Sequence, residues 1–284
     1  MVQPRGGHRR VTRSAHERTM RYAFITALTS ACVLASASSA QVAPGRSYSW
    51  PSATAAVQAQ TLEQRIPPPD GFTRVTVAAG SWGAWLRGLP MKPQGAPVLT
   101  FTGTPKWRQD VHVAVVDIDV GKRDLQQCAD AIMRLRGEWL FAAGRPREIT
   151  FNDTDGKRLR FSARRDQSYA SFRKYMDYVF AYAGTYSLER ELKPVALADI
   201  SIGDVFIKGG FPGHAVLVAD MVENPATGEK RFLLLQSYMP AQDIHVLRNP
   251  GSAERSPWYA ASFDGELVTP EWTFPSRALR RWPD

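Results

Sequence analysis

The chain has few of the residues that most often announce a chemistry. Only two cysteines occur in 284 residues, Cys32 and Cys128, which excludes a disulfide-stapled scaffold. Five histidines are present, none in an HExxH pattern. There is no CxxC pair, no phosphate-binding glycine loop and no GxSxG nucleophile elbow. These absences set aside the zinc proteases, the P-loop enzymes and the serine hydrolases that carry those motifs. No cofactor is expected. A metal site from Cys128, His214 and a carboxylate is not expected either, because His112 and His245 show no ligand spacing. No long apolar run follows residue 40, so no integral membrane segment is expected beyond the N-terminus.

Excess charge is also scarcer than the formal +9 implies. Residues 1–40 hold six Arg and one Glu, which leaves thirty basic against twenty-six acidic residues, or +4, for the remainder. The basic residues are scattered, so nucleic acid is not an expected partner.

The first forty residues read as an export address. Arg21 precedes the apolar and small-residue run Tyr22–Ala37, which is too short and too rich in Ser and Thr to span a bilayer well. Ser38-Ser39-Ala40 offers a cleavage site before Gln41, and Met20 is a plausible start behind a mis-annotated polar extension. A periplasmic or secreted location follows. Residues 41–64, rich in Ala, Ser and Gln, read as a disordered tether, and residues 65–284 as one α+β domain that enters through Pro67-Pro68-Pro69 and folds from near Gly71. Cleavage would leave Cys128 as the lone thiol in an oxidising compartment, where it is either buried and inert or retained for its chemistry.

Along the domain, Val98–Thr102 and Val111–Asp119 read as strands, with Asp117 and Asp119 sharing one face. A carboxylate pair can act as acid and base, although the polar face of such a strand is more often simply solvated. Asp124 reads as the N-cap of a helix over Leu125–Phe141, placing Cys128 one turn in, on the stripe with Leu125, Ile132, Leu135 and Trp139. On that stripe alone Cys128 is a core residue. Glu148–Phe161 reads as a hairpin turning at Asp155-Gly156, and Ser168–Leu192 as one long helix. Val205–Ile207, His214–Val222 and Arg231–Ser237 read as strands, the last two antiparallel about the Asn224–Gly228 turn.

The Gly-rich turn before His214 and the apolar strand after it would fix one imidazole at the mouth of a buried strand. A cysteine nucleophile needs a lowered pKa, which a helix N-terminus beside an imidazole supplies. Cys128 is the candidate nucleophile and His214 its general base. Gln236, a polar side chain in the run Phe232–Gln236, either orients that imidazole or points to solvent from the strand end. Gln127 or the first amides of the helix would stabilise an oxyanion, with Gly213 as support beside it.

This order of elements resembles the papain-like fold of the NlpC-type and CHAP peptidoglycan hydrolases. Their cysteine commonly sits in an Asp-Cys-Ser/Gly context, whereas here it is Gln127-Cys128-Ala129. The segments DLQQCADAIMRL, GDVFIKGGFPGHAVLVAD, LLLQSYMPAQDIHVLRNP and SPWY are similar to the family known as domain of unknown function 4846, which implies no activity. The resemblance to the hydrolases implies an α+β, papain-like (NlpC-type) fold with the Cys-bearing helix packed on an antiparallel sheet. It also implies an exported cysteine amidase or peptidase acting on a peptide or peptidoglycan-like substrate. The alternative is a non-catalytic envelope-binding module in which Cys128 is a core residue.

Overall fold

The structure is a computed structural model in which residues 48–50, 60–254 and 256–283 are described. The expected signal sequence and its cleavage site lie outside these residues, as does most of the tether. Among the described residues no helix is long and apolar enough to cross a membrane.

Three apolar segments make the centre of the molecule: Val205–Lys208, His214–Glu223 and Lys230–Gln236. Each is nearly unbroken in apolar side chains, the pattern of a strand covered on both faces. They sit in a nine-stranded sheet in which every pairing is antiparallel. Outward from this centre, His245–Leu247 and then His112–Val115 extend one side, and Leu279–Arg281 and then Lys193–Pro194 the other. Thr73–Arg74 pairs with the far end of the His214 strand, and Tyr259–Ala260 with the Gln236 strand. The expected antiparallel pair about Asn224–Gly228 is present. The Asn224 side chain accepts from the Ala226 amide at 2.9 Å, and Gly228 takes φ +73° to close the turn.

Alternation along these strands divides the core in two. Ala215, Leu217 and Leu235 belong to the cluster that includes Ile132, Leu135 and Met176 from the helices. Val216, Val218 and Leu234 belong to a second cluster with Phe206, Phe274 and Leu279. Of the C-terminal aromatics, Tyr259, Phe263, Trp272 and Phe274 cover the face opposite the helices, while Trp258 and Trp282 join the helix-side cluster.

The helices depart from the sequence expectation at their ends. The Cys128 helix runs Cys128–Ala142 with Gln127 as N-cap, whose amide donates to the Asp130 carboxylate at 3.1 Å. Asp124 does not cap it. Its carboxylate accepts instead from the Ala241 amide at 2.7 Å and from Gln127 Nε2 at 3.0 Å. Cys128 is consequently the first helical residue rather than one turn in. The expected single helix over Ser168–Leu192 is two, Tyr169–Tyr182 and Thr185–Glu191, because Ala183 and Gly184 are extended. Val98–Thr102 is a turn with isolated bridges rather than a strand.

The papain-like (NlpC-type) expectation is corrected. The architecture is dominated by one large antiparallel sheet with few helices, and its two faces carry separate apolar cores. The order of one helix and two strands suggests a helix-on-sheet family fold, but seven further strands join the same sheet, most of them short segments whose pairing the sequence does not announce. What stands is the coarser class, a mixed α+β domain.

Candidate active site

His214 begins its strand directly after a turn that only glycine permits. A Cβ on Gly213 would lie 2.3 Å from Thr185 Oγ1, 2.6 Å from the Gly210 carbonyl oxygen and 2.7 Å from that of Lys208. Gly210 takes φ +123°, a conformation that side chains resist. The turn is held from outside by Thr185, whose hydroxyl donates to the Gly210 carbonyl at 3.3 Å. Gly213 thus supports the site by setting where the His214 strand begins.

The pairing of Leu217 with Leu235 places His214 diagonally across from Gln236 on one face of the sheet. Both side chains are buried, and His214 Nε2 lies 2.9 Å from Gln236 Oε1. The ring packs against Tyr238 at 4.8 Å, Trp272 at 5.4 Å and Phe274 at 5.8 Å. Burial drives its pKa down to about 4, opposed by the Gln236 hydrogen bond and assisted by the Lys106 cation. The imidazole is neutral at pH 7. An amide oxygen only accepts, so Nε2 carries the proton and Nδ1 presents a lone pair. Nδ1 has no hydrogen-bond partner among the described residues.

Gln236 is itself held from behind. Its Nε2 donates to Glu271 Oε2 at 2.7 Å and lies 3.4 Å from His245 Nε2. Glu271 is paired with Lys106 at 2.7 Å, and both side chains are almost fully buried. Lys106 also lies 4.9 Å from the Tyr238 ring centroid.

Cys128 approaches from the helical side. It is half-buried, and its thiol meets the Ala215 amide, next in sequence to His214, as well as the amides of Ala129 and of Cys128 itself. Tyr238, whose ring packs on His214, also senses the Cys128 charge. Thiol and imidazole thus flank the same peptide unit and the same phenol. The expected lowering of the thiol pKa is reversed: burial, and after it the Asp130 carboxylate, push it up to about 12. Three amides favour the thiolate but do not outweigh desolvation. At rest the thiol and the imidazole are both neutral.

Other sequence candidates divide. The Gln127 side chain donates to Asp124, which ties it down at the N-cap beside Cys128. Asp119 is engaged by Arg134 at 2.9 Å and Arg173 at 3.2 Å while Asp117 is buried, so the two carboxylates do not make an acid–base pair. No cluster of three or more His, Cys, Asp or Glu among the described residues could hold a metal ion.

Lys106, Glu271, His245 and Tyr238 were not singled out by the sequence reading. Lys106 precedes Trp107, and Glu271 sits between Pro270 and Trp272. For Glu271 the available signal is a lone charge among Thr269, Pro270, Trp272 and Phe274; Lys106, followed by the exposed Trp107 and by Arg108, carries none.

A family model described as Domain of unknown function (4846) matches residues 62–164 and 161–281. No curated protein matches the chain, and no solved structure does.

Proposed function

The chain belongs to the family described as domain of unknown function (4846), and from the geometry of its site we propose that it hydrolyses an amide bond through Cys128. The observation that carries this reading is the His214 imidazole, its Nε2 fixed on Gln236 at 2.9 Å and its Nδ1 left without a hydrogen-bond partner among the described residues, on the residue whose neighbour Ala215 gives its amide to the Cys128 thiol. A buried imidazole with one nitrogen satisfied and the other left open is arranged to move a proton.

In the proposed cycle, Nδ1 takes the thiol proton as Cys128 Sγ attacks the substrate carbonyl, so no thiolate has to exist beforehand. The amides of Cys128 and Ala129, at a helix start where they have no intrahelical acceptor, stabilise the oxyanion. The imidazolium then gives its proton to the leaving amine, and a thioester on Cys128 remains. Water, deprotonated by Nδ1, hydrolyses that thioester and restores the thiol. The large exposed side chains Trp107, Phe211 and Met239 lie within three residues in sequence of Lys106, His214 and Tyr238, and they suit a substrate with apolar groups around its amide. The export address read in residues 1–40 favours an envelope peptide as the natural substrate and a periplasmic or secreted location.

A panel of peptides and cell-wall fragments, analysed for products by mass spectrometry, tests the reading. Cleavage that disappears in both Cys128→Ala and His214→Ala is expected; cleavage that survives Cys128→Ala would overturn it. The raised thiol pKa favours a second reading, a non-catalytic envelope-binding module with Cys128 as a packing residue. On that reading Cys128→Ala leaves envelope binding intact and no variant changes a cleavage product.

A further inference from the structure

Gln236 can serve His214 in only one of its two amide orientations. With the oxygen toward Nε2, the imidazole holds its proton there and leaves Nδ1 bare, as the base the proposed Cys128 chemistry needs. With the NH2 group toward Nε2, the proton moves to Nδ1 and the base is lost. Three buried groups decide between these orientations.

His245 Nδ1 lies 2.8 Å from the Asp243 carbonyl oxygen, which only accepts, so Nδ1 is the protonated nitrogen and Nε2 has a lone pair. That lone pair faces Gln236 Nε2 at 3.4 Å. Glu271, ion-paired with Lys106 at 2.7 Å, sets a carboxylate oxygen 2.7 Å from the same nitrogen. Both acceptors therefore demand the Gln236 NH2 group, which leaves Oε1 for His214. The reversed amide would point its oxygen at a carboxylate and at an imidazole lone pair while aiming an N–H at Nε2–H of His214. Burial makes each mismatch expensive.

We propose that Glu271 and Lys106, together with His245, are positioning residues that hold the Gln236 amide in the orientation that keeps His214 in its Nε2–H tautomer. Its catalytic meaning rests on the proposed Cys128–His214 chemistry, but the tautomer is a property of the folded protein whether or not it turns over a substrate. Lys106 acts at one remove, as the counter-charge that keeps Glu271 an acceptor. Its Nζ contacts both Glu271 oxygens, at 2.7 Å and 3.0 Å.

Long-range 1H–15N correlation on 15N-histidine-labelled protein at pH 7 reads each ring nitrogen as protonated or bare, with signals assigned by their loss in His214→Ala and His245→Phe. The expected wild-type result is Nε2–H for His214 and Nδ1–H for His245. In Glu271→Gln, whose new amide can donate or accept, His214 should gain an Nδ1–H population, and kcat/KM should fall by about 10- to 100-fold with the fold intact. Lys106→Met should shift the tautomer the same way, while Lys106→Arg should retain the wild-type spectrum. A wild-type His214 bearing its proton on Nδ1 would overturn the proposal, and that spectrum needs no variant to fold. An unchanged tautomer in folded Glu271→Gln would overturn it too, even with activity reduced. If the tautomer responds as expected and no amide is ever cleaved, the hydrolase reading fails and the orientation device stands.

Discussion

The two ends of the His214–Glu223 strand bury polar groups to opposite effect. At the far end, the fully buried Asp220 is saturated: Arg87 Nε at 2.6 Å, Arg74 Nε at 2.7 Å and the Met221 amide at 2.8 Å all meet its carboxylate. The arginines also donate to the carbonyls of Glu63, Ile66, Val75 and Met221, which ties the entering chain to the sheet where its register slips between Val218 and Asp220. At the near end, His214 is just as buried, yet one ring nitrogen is left without a hydrogen-bond partner among the described residues, on the residue next to the amide that meets the Cys128 thiol. A polar cluster with every valence filled is a staple. One that fills every valence but one, next to a peptide unit that also meets a thiol, is a candidate reaction centre.

The comparison breaks first if the near end does no chemistry. Cys128→Ala should lower amide hydrolysis by about 10^4-fold or more while thermal unfolding stays close to wild type, as read by product formation and a melting curve.

Acid should attack the near end next. His214 and His245 have pKa values lowered from 6.5 to about 4 and about 3, in both cases chiefly by burial. The unfolded chain takes up both protons near pH 6.5, and the folded one refuses them. Stability from these groups is therefore complete above pH 6.5 and is lost as the pH falls, at about 1.4 kcal/mol per pH unit for each histidine. The loss runs down to about pH 4 for His214 and about pH 3 for His245. The carboxyls of Asp130, Asp204 and Asp243 are raised by burial and act with the opposite sign. Comparison with a variant separates the two contributions. Denaturant titrations of His245→Phe should show a slope shallower than wild type by about 1.4 kcal/mol per pH unit between pH 6 and 4, and equal slopes would contradict the account.

At the far end Asp220→Ala should remove about 3–5 kcal/mol of stability, because two arginines lose the charge that holds them inside. Activity per folded molecule should be unchanged, and a proportional loss of kcat would erase the contrast between the ends. Gly213→Ala should have the smallest effect, about 1–3 kcal/mol from forcing Thr185 and two carbonyls apart, with kcat falling as the His214 strand shifts its start.

How much of this was legible beforehand follows sequence distance. The central strands, the Asn224 turn and the three residues Cys128, His214 and Gln236 show locally, as apolar runs broken by a single polar residue or a cluster of glycines. The supports do not. Glu271 lies 35 positions from the Gln236 it holds, and Lys106 lies 165 from Glu271. At the start of the Cys128 helix, Asp124 has the chemistry of a cap, yet a more distant amide, that of Ala241, claims it. The thiol differs in kind. Helix start and imidazole are visible in the sequence and lower a thiol pKa, but the burial that overrides them belongs to the packed molecule, and Asp130 two residues away adds to it. The family fold was misjudged because three elements in order do not fix how many further strands join their sheet.

The central claim is that Cys128 and His214 form a neutral nucleophile–base pair. Intact-mass analysis after brief exposure to an activated acyl-amino-acid ester at pH 7 tests it most directly, with wild type beside His214→Ala. The account predicts one acyl group on Cys128 in wild type, turning over with time, and almost none in His214→Ala. Equal acylation of both proteins, or acylation of Cys128 only after denaturation, would contradict it.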